Sequence, residues 1–307
     1  MCRTTCAEFA TQLRARTTDT VLGMTTMPPI VSIDQIGDYP DAVIADVRWY
    51  LDGTDARAVY EAGHLPGAIF IDLEHDLSTP SLSPSAGRHP FPEPEAFAAA
   101  MSSHGIGDDS IVIAYDDTGG MTAGRLVVML RMLGRNAAVL DGGLAQWTAL
   151  GHDTLMTGPG VIPEHLDFTP CAWPLDRLAD ENDVAEIGRT GHGLLLDARN
   201  TERFTGEATS IDLRPGHIPT AASAPWALTV HPDSHRFRTA VELRERFNAL
   251  GVSESENVVT YCGSGVSACM NILAMEQAGL PPARLYVASF SGWSADPVRE
   301  VEVGPGR

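Results

Sequence analysis

The sequence predicts an α/β fold built twice: two tandem domains, each a mainly parallel sheet flanked by helices. Three observations predict it. Short apolar strands alternate with helical stretches such as 124–133 and 241–250, the order that gives parallel sheets covered by helices. A block of sequence recurs at matched spacing. An apolar strand ending in Asp46-Val47-Arg48 is followed by Gly63-His64-Leu65-Pro66, and a strand ending in Asp197-Ala198-Arg199 is followed by Gly216-His217-Ile218-Pro219. Finally, each copy carries a β-branched strand, a Gly-rich loop and a helix start, around Asp116 in the first and around Cys262 in the second.

In chain order, residues 1–26 hold Arg3, Arg14, Arg16 and many Thr but no long apolar core. They read as a flexible extension, with Met24 and Met27 as alternative starts, and as a poor secretory signal. A first domain over 27–157 contains the strand 42–46, the strand 110–115 with its loop Asp116-Asp117-Thr118-Gly119-Gly120-Met121-Thr122-Ala123, and Leu140-Asp141-Gly142-Gly143 leading to Trp147. The Gly- and Pro-rich span 158–174 reads as the linker. A second domain over 175–307 repeats the plan with the strand 194–197, the strand 258–261, the helix 268–277, and Ala288-Ser289-Phe290-Ser291 leading to Trp293.

Composition removes several function classes. A hydrophobic share of 44% with 20% charged residues is ordinary for a globular protein, and no apolar run approaches the roughly 18 to 20 residues of a membrane helix. The net charge of −19 repels nucleic acid and anionic membranes, so neither is expected as a partner, and an anionic substrate needs a local cationic pocket. The five cysteines are odd in number and lack the paired spacing of a disulfide framework or zinc site, which points to a reducing cytoplasm and no metal.

Chemistry concentrates at Cys262. A thiol between a strand and a helix, in a loop with Gly263 and Gly265, faces backbone N–H groups and a helix N-terminus that stabilise negative charge, the setting of a nucleophile. Cys269 falls inside the helix and reads as core.

These blocks together resemble the rhodanese superfamily, specifically its tandem-domain sulfurtransferases for thiosulfate or 3-mercaptopyruvate, over about residues 30 to 300. The resemblance implies two rhodanese-like domains, the first without a catalytic Cys. It implies a Cys262 persulfide held by the loop Gly263, Ser264, Gly265, Val266, Ser267 and Ala268, with no organic cofactor. Thiosulfate-type loops carry cations after the Cys. The mercaptopyruvate type reads Cys-Gly-Ser-Gly-Val-Thr-Ala, and this loop differs from it only at Ser267. The resemblance further implies Ser264 as a proton relay with His64 and Asp55 from the first domain, and Arg203 as the cation for the donor carboxylate. A second family arginine nine residues on falls at or near 210–212, where Arg214 is the candidate stand-in. Trp49 is a candidate pocket wall. The acceptor is a thiol, as on a thioredoxin-like protein or glutathione, or cyanide.

Two departures stand out. The family's Gly-Ser-Trp-Ser-Glu-Trp reads here as Ala288-Ser289-Phe290-Ser291-Gly292-Trp293. The Gly-His-x-Pro histidine also recurs as His217, which sets a purely bracing role for the motif on equal terms beside the catalytic one. Two other readings compete. A rhodanese-like phosphatase needs an Arg six residues after the Cys to clamp phosphoryl oxygens, and that position is Ala268. A noncatalytic sulfur-carrier or regulatory module has no need of a free Cys followed by a complete Gly loop.

Overall fold

The computed structural model describes residues 27–80, 83–152, 155–208, 211–253 and 257–306. The extension expected over residues 1–26 lies outside them. Each half contains a five-stranded, wholly parallel sheet. The first has strands β1 Ile30–Val31, β2 Val43–Asp46, β3 Ile69–Phe70, β4 Ile111–Tyr115 and β5 Asn136–Leu140, in spatial order β1-β5-β4-β2-β3. The second has β6 Leu178–Ala179, β7 Leu194–Asp197, β8 Ala222–Ser223, β9 Val258–Tyr261 and β10 Arg284–Tyr286, in order β6-β10-β9-β7-β8. The central strands β7 and β9 are buried along their whole length, as strands covered on both faces must be.

The helices are α1 Ala56–Ala62, α2 Pro94–Ser103, α3 Ala123–Met132, α4 Gly143–Ala149, α5 Glu181–Thr190, α6 Thr201–Thr205, α7 Ala240–Ala249, α8 Ala268–Gln277 and α9 Ser289–Ala295. None of these is long and apolar enough to cross a membrane. The 158–174 segment carries neither helix nor strand. It lies along the first half, where Phe168 N–H donates to Ser102 and the Trp173 indole donates to the Pro92 carbonyl.

The repeat extends to individual bonds. Asp46 and Tyr115 are register partners, as are Asp197 and Tyr261. Each strand-end aspartate holds an arginine two residues on, Arg48 at 2.7 Å and Arg199 at 2.6 Å, and each arginine donates to a glycine carbonyl, of Gly63 or Gly216, at 2.8 Å. The tyrosine hydroxyls accept from Leu65 and Ile218 N–H. These buried pairs recur in the half without a cysteine, so they belong to the frame.

The two halves meet through α3 and α8, the helices that follow the two Gly-rich loops. A Cβ on Gly124 would lie 3.2 Å from the Met270 sulfur, so the backbone of α3 sits directly on α8. Residues 268–275 are consequently buried on every side, and α8 shows no polar face because its own sheet covers one side and the first half the other.

Candidate active site at the junction of the halves

Cys262 directly follows β9 and is 2% exposed. Its backbone is fixed by the α9 segment: Cys262 N–H donates to the Ser289 hydroxyl at 3.1 Å, and the N–H groups of Phe290 and Ser291 donate to the carbonyls of Cys262 and Gly263. The Ala288–Ser291 segment therefore grips the loop through main chain and one hydroxyl, neither of which needs the Trp and Glu that Phe290 and Gly292 replace. Gly265 has φ +74°, and a Cβ there would lie 2.6 Å from the Val287 carbonyl, so this turn admits only glycine without rearrangement. Val266, Ser267 and Ala268 carry the chain into α8. Among the described residues, no protein acceptor takes the N–H groups of Gly263 to Ser267, which leaves them to a negative charge at the loop.

Of the two free cysteines among the described residues, burial pushes Cys269 up to about 12, against the pull of Arg125, so it remains a neutral thiol packed in α8. Cys171, by contrast, is disulfide-bonded, which the irregular cysteine spacing does not announce.

Ser264 is buried, and its hydroxyl lies 2.9 Å from Nδ1 of His89, 175 residues away in sequence. His89 Nε2 is 4.0 Å from Glu74, which also accepts from the Trp49 indole at 3.1 Å, and the Trp49 ring stands edge-on to His89 at 5.3 Å. Burial, reinforced by Arg125 and Arg88, lowers His89 to about 4, so it is neutral at pH 7. The imidazole beside the Ser264 hydroxyl is thus that of His89 and not that of His64.

His64 stacks on Tyr60 at 4.0 Å with Nδ1 on the Tyr60 carbonyl, just as His217 stacks on Phe204 at 3.7 Å with Nδ1 on the Phe204 carbonyl. Both brace the turn after a helix. Asp55 is also displaced from the expected role: it is exposed and caps α1 by accepting from Ala58 N–H.

The cations resolve differently from the expectation. A Cβ on Gly263 would lie 2.7 Å from an Arg203 terminal nitrogen and 2.8 Å from one of Arg88, so two guanidiniums stand against the residue after the thiol. Arg203 therefore stands beside the cysteine loop. Arg214 is not a second site cation, because its guanidinium is occupied by the carbonyls of Ser294, Asp296 and Arg299. The position nine residues after Arg203 is Asp212, which takes Arg203 in a two-pronged pair at 2.8 and 2.7 Å and also accepts from Arg199 at 3.1 Å. Burial raises the Asp212 carboxyl, but the arginines, Arg203 foremost, more than offset this and hold it below its usual range.

From α3 of the first half, the fully buried Arg125 donates to the carbonyls of Gly265, Leu77 and His89, tying the Cys loop to the His89 segment. Burial pushes Arg125 down to about 10, opposed by Cys269 and Cys262.

Sequence reasoning missed Arg88, His89, Glu74 and Arg125. The first three lie on or beside the irregular stretch between β3 and α2, which has no strand or helix period. A connection that long between regular elements was itself a signal, since such loops carry function.

Similarity to known proteins follows this geometry. The rhodanese-like domain model matches residues 33–150 and 176–296. A probable 3-mercaptopyruvate sulfurtransferase of Pseudomonas aeruginosa is 40% identical, over 86% of this chain and 93% of its own. A putative thiosulfate sulfurtransferase of Mycobacterium tuberculosis is 36% identical over 91% and 96%. The crystal structure of the 3-mercaptopyruvate sulfurtransferase SseA from Escherichia coli superposes with a TM-score of 0.74 at 31% identity, covering 86% of this chain and 99% of that one.

Proposed function

This chain belongs to the rhodanese family, and on that premise we propose that it is a sulfurtransferase that moves sulfur from 3-mercaptopyruvate, or less efficiently thiosulfate, through a persulfide on Cys262. The observation that carries the reading is the convergence beside one cysteine of two guanidiniums and a hydroxyl–imidazole pair, Arg88, Arg203, Ser264 and His89.

In the first step the Cys262 thiolate attacks the donor sulfur, a Cys262 S–S bond forms and the donor C–S bond breaks. The electron pair departs on the pyruvate enolate. The donor thiol's own proton balances the step. Ser264 takes it while neutral His89 takes the Ser264 proton, and the chain then runs back to protonate carbon, giving pyruvate and an anionic persulfide. The Trp49 ring packs edge-on against the imidazole, and Glu74 lies 4.0 Å from its Nε2. Arg203 binds the donor carboxylate, and the loop amides from Gly263 to Ala268 hold the thiolate and then the persulfide. In the second step an acceptor thiolate, as on a thioredoxin-like protein or glutathione, or cyanide, attacks the outer sulfur and Cys262 leaves as thiolate. The first step needs a reduced Cys262, and we propose a cytoplasmic setting on that ground, the disulfide at Cys171 notwithstanding.

The reading is tested by assaying both donors side by side with wild type and Cys262→Ser. Wild type should form pyruvate and a persulfide adduct from 3-mercaptopyruvate with the higher kcat/KM, and the variant neither. A folded, reduced wild type inert with both donors would overturn it.

A further inference from the structure

Arg125, on α3 of the first half, is wholly buried and yet has no counter-ion. Among the described residues no carboxylate pairs with it. Its guanidinium donates to the carbonyls of Gly265, Leu77 and His89 at 2.9, 3.1 and 2.8 Å and lies over the Phe91 ring at 4.3 Å. Carbonyls and a ring face solvate a charge but do not neutralise it. Arg199, buried to the same degree, is by contrast matched by Asp197 at 2.6 Å. Two thiols lie within the field of Arg125, and both oppose the effect of its burial. Cys269 stays neutral, so the negative charge that can balance Arg125 is the one that forms on Cys262.

The contact with Gly265 has a geometric effect as well. The peptide joining Gly265 to Val266 is trans, so the Gly265 carbonyl and the Val266 N–H point in opposite directions. Arg125 and the Cys269 S–H, at 3.4 Å, draw the carbonyl to one side. Val266 N–H is left on the other, among the loop amides that no protein group accepts. A flip of this peptide would put a carbonyl oxygen where that donor stands, and a glycine by itself resists such a flip weakly. Arg125 supplies the resistance.

The repeat provides an internal contrast. Arg125 stands nine residues after Asp116, and Asn271 stands nine after Cys262. Both are buried, and both donate to the connection that follows the edge strand of their own sheet. Arg125 reaches Leu77 and His89 beyond β3, and Asn271 reaches Ala224 beyond β8 at 3.0 Å. Of the two, Arg125 alone crosses to the other half's loop, and that is the loop without a carboxylate of its own.

We propose that Arg125 is a positioning residue for the reaction: through Gly265 it holds the Cys262 loop in its anion-accepting form, and its unmatched charge stabilises the thiolate and then the persulfide of Cys262. The role rests on the sulfurtransferase reading of Cys262. It makes the first half the source of the charge that activates the second half's thiol.

The test is alkylation of Cys262 by iodoacetamide from about pH 6 to about pH 10 in wild type, Arg125→Gln and Arg125→Lys, with the modified residue identified by mass. Melting curves, and kcat and KM for 3-mercaptopyruvate, are measured alongside. Arg125→Gln keeps a donor near Gly265 but no charge. Its alkylation should be about 10-fold slower than wild type at pH 7 and within about 2-fold near pH 10. Its kcat should fall about 30-fold with KM within about 3-fold, because other groups hold the donor. Arg125→Lys keeps the charge without the planar fork, and its alkylation at pH 7 should stay within about 3-fold of wild type. A merely structural role would lower the melting temperature of both variants and change alkylation by one factor at every pH. That result in a folded Arg125→Gln overturns the proposal. Where Arg125→Gln melts below the assay temperature, Arg125→Lys carries the test: a rate like that of wild type at pH 7 upholds the role, and a folded variant about 10-fold slower overturns it. Alkylation needs no sulfur donor, so a wild type inert with both donors overturns the sulfurtransferase reading while these rates still test Arg125 separately.

Discussion

The two Gly-rich loops are built from the same strand, turn and helix, yet one is closed on itself and the other is open. In the first, the Asp116 carboxylate accepts from the N–H groups of Thr118, Gly120, Thr122 and Ala123 and from the Thr122 hydroxyl, all between 2.8 and 3.0 Å. The amides that converge there have their anion built in. In the second loop the corresponding residue is Cys262, whose single sulfur leaves the amides of Gly263 to Ser267 without a protein acceptor among the described residues. The comparison teaches that the loop is an anion cradle by construction, and that one side chain decides whether it stabilises the fold or binds chemistry.

Several substitutions break or sharpen that contrast. Cys262→Ser should remove all turnover, a loss of at least about 1,000-fold, and adding Asp116→Cys should restore none of it, as a pyruvate assay of the double variant would show, because the two guanidiniums stand at Gly263 only. Ser264→Ala should cost about 100-fold in kcat with 3-mercaptopyruvate but under about 5-fold with thiosulfate, whose sulfite leaving group needs no proton on carbon. Equal losses would argue that the hydroxyl only shapes the loop.

Asp116→Ala, by contrast, is a stability change: four amides and a hydroxyl lose their buried partner, and urea unfolding should show a loss of about 3 kcal/mol. His64→Gln and His217→Gln should each cost about 1 to 2 kcal/mol in the same measurement and leave kcat/KM within about 3-fold, since both rings brace equivalent turns. The smallest effect is on pH dependence. The folded-state value of His89, about 4, lies below the ordinary 6.5, so the unfolded chain binds the extra proton first. Stability from this group is present above about pH 6.5 and is lost as pH falls towards and through 4. His89→Gln should flatten the melting temperature over that window relative to wild type.

The duplication, the sheet class and the cysteine loop were legible because each is written in contiguous residues. The helix expected over 268–277 is found at those positions, and the strand expected over 194–197 likewise. The partners of the loop were not legible. His64 stands in a repeated motif and drew attention, while His89, alone before Pro90, carries no pattern; only tertiary packing brings it to Ser264. Asp55 qualifies in the sequence only as an acid upstream of His64, yet its backbone position makes it a helix cap. Arg214 failed for a related reason, because an arginine's charge is available only where the surrounding carbonyls leave it so.

The burial of α8 between the halves bears on inheritance. A catalytic half detached from its neighbour would expose the face that Gly124 covers. It would also lose Arg125 from Gly265, His89 from Ser264 and Arg88 from Gly263. The halves are therefore not interchangeable cassettes: a chimaera joining this second half to a relative's first half inherits the nucleophile but must also be given compatible residues at 88, 89 and 125. The first half, with Asp116 where the second has Cys262, is thus bound into the surroundings of the other's loop.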